Sequence, residues 1–154
     1  MKEITAIILI SVVVLVPVLA QQSQRDYPTE QPRVRFAPLH VYLDSAGNGL
    51  AAFQFELKAT AGQVKIVGVE GGSHEAFSKT PPYYDPAALA NNRIIIAAFS
   101  TQPNLPRGRT RIATLHLQIL GDAEPQYELT LTVAADADGE KIPAKVSFEK
   151  GEHK

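Results

Sequence analysis

The chain has 154 residues, 15 Lys or Arg against 16 Asp or Glu, no Cys and no Trp. That length is one domain on the usual prior, and the near-neutral balance lacks the basic face that nucleic acid requires. Without cysteine there is no disulfide, no thiol nucleophile, no thiolate zinc site and no lipid anchor through an N-terminal Cys.

Lys2 supplies a positive charge, offset by Glu3, and Ile4 to Leu19 is almost wholly apolar. Val18-Leu19-Ala20 puts small or branched residues where a signal peptidase cuts, so residues 1–20 read as a secretory signal cleaved after Ala20. The alternative is an uncleaved membrane anchor. Against it, the run is shorter than the roughly 20 residues that cross a bilayer, and Pro17 sits near its end. The expectation is export to the medium, periplasm or cell envelope, with membrane contact only through this segment if it is retained. Cleavage removes one charge of each sign, so the net stays at −1. Residues 21–33 are polar, carry two prolines and lack periodicity, which reads as a flexible spacer.

The domain is expected over residues 34–149, with a polar tail over 150–154. Leu39, Val41 and Leu43 alternate with His40, Tyr42 and Asp44, the pattern of a half-buried strand. After the turn Ser45–Gly49, residues Ala51, Phe53, Phe55 and Leu57 alternate with polar ones, and the two segments read as an antiparallel hairpin. Val64 to Glu70 is a third strand whose apolar phase shifts between Ile66 and Val67, predicting a bulge near Gly68. Ser73 to Asn92 is irregular, with Pro81, Pro82 and an Asp85-Pro86 helix-start signal. A segment of that length without a strand is commonly functional or covers a surface.

Arg93 to Ser100 is an unbroken apolar strand, and Thr110 to Leu120 an alternating one. Thr101–Arg109, with Pro103, Pro106 and Gly108, turns between them. Tyr127 to Ala135 alternates, Asp136–Glu140 forms a hairpin loop, and Ile142 to Glu149 closes the domain with Val146 and Phe148 inward. Six to nine short strands, frequent Gly and Pro turns and no long amphipathic helix make this an all-β, antiparallel two-sheet sandwich.

The succession LAAFQFEL (50–57), VKIVGVE (64–70), a variable middle, IIIAAFS (94–100), LPRG (105–108), IATLHL (112–117), a Thr-rich strand and an Asp/Gly hairpin resembles cohesin-type domains. These belong to a wider superfamily of carbohydrate-binding β-sandwiches, and the resemblance covers about residues 34–149. It implies a nine-strand jelly roll, which puts the expected count at about eight to nine strands, and a non-catalytic binding role. Cohesins bind dockerin modules through one sheet face, and their relatives bind polysaccharide. One domain with no repeat, no dockerin-like calcium loops and no attached enzyme does not imply a multi-enzyme scaffold. The resemblance transfers no contacting residue.

Candidate sites follow from the strand at 93–100. Only one of its faces can meet the inter-sheet core. Ile94, Ile96 and Ala98 are taken as the second face, covered either by Ser73–Asn92 or by a protein partner. Tyr83 and Tyr84 with Asp85 are either a sugar-stacking platform or packing anchors. Arg107, Arg109 and Arg111 could hold a carboxylate or acidic partner, or form a solvated turn. Asp136, Asp138 and Glu140 mimic the start of a calcium loop, but the twelfth position counted from Asp136 is Ser147 and not Glu. No histidine pair has metal-ligand spacing, and no nucleophile elbow or phosphate loop occurs. No cofactor, metal or catalysis is expected. The expected function is an exported binding module for a dockerin-like or other protein partner. The alternatives are polysaccharide binding or a self-assembling envelope protein.

Overall fold

The computed structural model describes residues 32–79 and 81–151. The expected signal (1–20), most of the spacer and residues 152–154 lie outside the described residues. The described residues are all-β, with seven strands in two antiparallel sheets. The strands are β1 (Val34–Asp44), β2 (Ala52–Ala61), β3 (Gln63–Gly71), β4 (Arg93–Phe99), β5 (Arg109–Leu120), β6 (Gln126–Ala135) and β7 (Lys145–Lys150). A one-turn helix α1 (Glu75–Ser78) and a 3₁₀ turn (Pro86–Ala88) lie between β3 and β4. One sheet has the order β3-β5-β1-β7 and the other β4-β2-β6.

Successive strands therefore alternate between the two layers, and every connection crosses the sandwich. This corrects two expectations. The segments at 34–44 and 52–61 are not a hairpin, because β1 pairs with β5 and β7 while β2 pairs with β4 and β6. Likewise β4 and β5 belong to different sheets. A strand with one apolar face is satisfied equally by an edge neighbour or by a strand facing it across the core. At the β1–β2 crossing, Leu50 N–H donates to Pro106 O at 3.0 Å and Ala51 N–H to Ala135 O at 2.8 Å. Those bonds carry the chain to the other layer.

Between the layers, Leu39, Val41 and Leu43 of β1 and Ile112, Leu115 and Leu117 of β5 are buried. From the other sheet come Phe53, Phe55 and Leu57 of β2 and Ile94 and Ile96 of β4, also buried. The predicted bulge is present: the β3–β5 register shifts between Ile66 and Gly68, and Val67 is turned out.

The irregular middle segment closes one side of the sandwich. Phe77 of α1 enters the core edge-on to Phe53, with ring centroids 5.0 Å apart. Gly72 N–H donates to Phe77 O at 3.1 Å, and a Cβ on Gly72 would stand 2.5 Å from Arg111 O, so the crossing needs glycine. Further on, Ala90 N–H bonds Ile66 O at 2.7 Å and Asn92 O accepts from Ala59 N–H at 2.8 Å, so one stretch laces β3 to β2. Ala90 sits at φ 68°, held in the left-handed region by these bonds.

A candidate binding face on the three-stranded sheet

The apolar strand β4 has one core face and one solvent face, and the assignment of the two is the reverse of the sequence expectation. Ile94 and Ile96 are 1% and 0% exposed, and Ala98 packs on the same core. Ile95 and Phe99 are 42% and 57% exposed, with Ala97 between them half-buried. The physical reason is Arg93, whose side chain must reach water. It shares parity with Ile95, Ala97 and Phe99. That signal was present in the sequence and fixes the facing of a run that apolarity alone leaves degenerate.

The segment 73–92 packs Phe77, Tyr84, Ala88 and Leu89 on the core that Ile94 and Ile96 face. It also adds to the edge of β4. Tyr83 N–H donates to Ala97 O at 2.7 Å and Ala97 N–H to Tyr83 O at 2.9 Å, a single antiparallel bridge beside β4. Directly opposed residues in such a pair share a face, so Tyr83 stands on the outer side. Its ring lies parallel to Phe99, 2° between planes and 5.9 Å between centroids. Tyr84 turns the other way and packs on the core. Of the two alternatives for this pair, Tyr84 is a packing anchor and does not share a face with Tyr83, whose aromatic partner is Phe99.

Across the sheet, register places Gln54 beside Ala97 and Val133, and Glu56 beside Ile95 and Thr130. Val133 is also exposed. One end of the face is thus apolar, formed by Tyr83, Phe99, Ile95 and Val133. The other end is charged. Arg93 donates to both carboxylate oxygens of Glu56 at 2.7 and 2.8 Å, and Lys58 stands beside Glu128. The hydrogen bonds from Arg93 hold the Glu56 carboxyl below its ordinary range, and Glu56 in turn raises Arg93.

Beside this face runs a shallow groove of about 410 Å³, lined by Tyr83, Tyr84, Asp85, Ala88, Arg93 and Ile95 among others. Asp85 caps the 3₁₀ turn, one carboxylate oxygen accepting from Ala87 N–H at 2.9 Å.

The arginines are elsewhere. Arg107 donates to Gly47 O at 2.9 Å and braces the turn after β1. Arg109 lies in the other sheet, its guanidinium 3.8 Å from the centre of the Tyr42 ring and paired with Glu149 at 2.5 Å. Of the two alternatives for these arginines, Arg107 and Arg109 do not form one acid-binding group: the first braces a turn and the second is a stacked ion pair. In the hairpin after β6, one Asp136 oxygen accepts from Asp138 and Glu140 N–H at 3.0 and 2.9 Å, which closes the turn. Among the described residues no three His, Cys, Asp or Glu side chains gather as metal ligands, and no helix is long and apolar enough to cross a membrane. Compared with known proteins, the chain matches no family model, no curated protein and no solved structure.

Proposed function

We propose that this chain is an exported, non-catalytic binding module of cohesin-like type that recognises a protein partner through the outer face of β4-β2-β6. The observation that carries the reading is the exposed, parallel Tyr83–Phe99 pair flanked by Ile95 and Val133. Large apolar side chains clustered on a sheet face cost free energy in water and mark interaction surfaces. The charged end, with Glu56–Arg93 and Lys58, supplies a polar rim for orientation. On this reading the sandwich is a reduced jelly roll, with the Tyr83 bridge standing where a further edge strand would lie. Export rests on the apolar N-terminal run.

The test is affinity capture from the native extracellular fraction with the purified protein and with Phe99→Ser and Ile95→Asp variants. Partners retained by the parent and lost by both variants are expected. An unchanged set of partners would refute the face.

A second reading is favoured by the same aromatic pair and the adjoining groove. Rings beside a carboxylate, an arginine and a turn are what a sugar ring needs for stacking and hydroxyl recognition. Retention on soluble polysaccharide gels, abolished by Tyr83→Ala, would move the assignment to carbohydrate. A concentration-dependent rise in mass, abolished by Phe99→Ser, would move it to self-assembly.

A further inference from the structure

The two long sides of the sandwich are finished differently. On the β3/β4 side, Phe77 fills the gap between layers and Ala90–Asn92 bonds to both sheets. On the β6/β7 side the loop residue Ile142 enters the core at one end, and Tyr127 and Phe148 meet edge-to-face with centroids 5.6 Å apart. Lys150 pairs with Glu124 at 2.8 Å at the other end, but among the described residues no backbone bond joins the two strands. β6 pairs only with β2, apart from bonds from the hairpin at Ala134 and Ala135, and β7 pairs only with β1. The inward residues of these two strands, Tyr127, Leu129, Leu131, Val146 and Phe148, are accordingly only half-buried. Two unpaired strand edges thus border a strip that the Tyr127–Phe148 contact closes only in part.

At one end this seam widens into a cavity of about 560 Å³, floored by Leu131, Ala134 and Ile142. Lys141 and Lys145 stand on its rim with Asp44. Asp44 is engaged, one oxygen accepting from Ala46 N–H at 3.0 Å. Among the described residues neither lysine has an ion-pair partner. The volume exceeds that of any single side chain, and the free backbone edges offer unpaired N–H and C=O groups in register.

We propose that the β6/β7 seam binds an extended peptide segment of a partner protein. The segment adds as a strand along the β7 edge, seats an apolar side chain in the cavity and presents one carboxylate to Lys141 and Lys145. Main-chain pairing supplies register, one side chain enters the cavity beyond the Tyr127–Phe148 contact, and the lysines select for acid at one position. One carboxylate is favoured over an acidic run because Asp138 and Glu140 stand on the adjoining loop. This surface is separate from the outer face of β4-β2-β6, so its test and the test of that face fail independently.

The probe is a synthetic peptide of about eight residues, valine and leucine alternating with threonine, with one central aspartate. Its counterpart carries lysine in place of the aspartate. Titration into the isotopically labelled protein, followed by amide shifts and hydrogen exchange, is expected to show saturable binding of the acidic peptide. The shifts should fall on Lys145–Glu149 and Leu131. Lys141→Glu with Lys145→Glu, both exposed positions, should weaken the acidic peptide about tenfold and favour the lysine peptide. Methylating alternate peptide nitrogens along one edge should abolish binding, while the opposite edge tolerates it. The proposal is overturned by no saturation of either peptide at about 1 mM, by binding indifferent to charge reversal or methylation, or by shifts confined to the three-stranded sheet. It is equally overturned if the seam is buried by a second copy of the chain.

Discussion

The facing of β4 makes a sharp pair of mutational expectations. Ile96 is fully buried opposite Phe55, whereas its neighbour Ile95 is 42% exposed. Ile96→Ala removes about three carbons, roughly 2.4 kcal/mol of transfer free energy. The cavity left against rigid aromatic neighbours adds up to about 2 kcal/mol at roughly 24 cal/mol per Å³. The expected loss is therefore about 3–4 kcal/mol. Ile95→Ala leaves no cavity and gives up only part of the transfer term, about 1 kcal/mol. Guanidinium denaturation of both variants, with equal m-values as the check on two-state behaviour, measures the difference. Equal losses, or a larger loss at Ile95, would refute the assignment of faces and with it the exposed patch.

Phe77→Ala should cost about 3–5 kcal/mol in the same assay, because its ring closes the β3/β4 side against Phe53. A loss below about 1 kcal/mol would mean that α1 does not seal the core. Gly72→Ala should lower stability by about 1–3 kcal/mol, since its Cβ meets backbone at Arg111; an unchanged midpoint would contradict that crossing. The depressed carboxyl of Glu56 contributes stability above its ordinary value of 4.5 that is lost as pH falls through the lowered folded value. Arg93→Met should flatten this part of the pH dependence of the denaturation midpoint. Parallel wild-type and variant curves below about pH 4.5 would show that the pair is not formed.

Alternation made the one-sided strands readable. Phe53, Phe55 and Leu57, like Leu39, Val41 and Leu43, face the core as their period of two requires. The phase shift at Ile66–Val67 likewise marked the β3 bulge, since an extra residue inverts parity beyond it. Pairing partners were not readable. Parity tells which side of a strand is apolar but not whether the strand's neighbour lies beside it or across the core, so β1 and β2 looked like a hairpin. A run apolar on both faces, as in β4, has no parity signal of its own. Only Arg93 breaks the tie, and without it the binding candidates fell on Ile94 and Ile96 in place of Ile95 and Phe99. Phe77 was invisible for a different reason: a four-residue helix is too short to show a 3.6-residue period. The Tyr83 bridge is a single residue pair, created by tertiary contact and carrying no local pattern.

The most direct test of the binding face is a footprint. Hydrogen exchange of the protein alone and bound to the partner captured by affinity should show protection concentrated in Tyr83 and β4, extending across β2 toward Val133. Protection confined to the outer face of β3-β5-β1-β7, with β4 unchanged, would contradict the account.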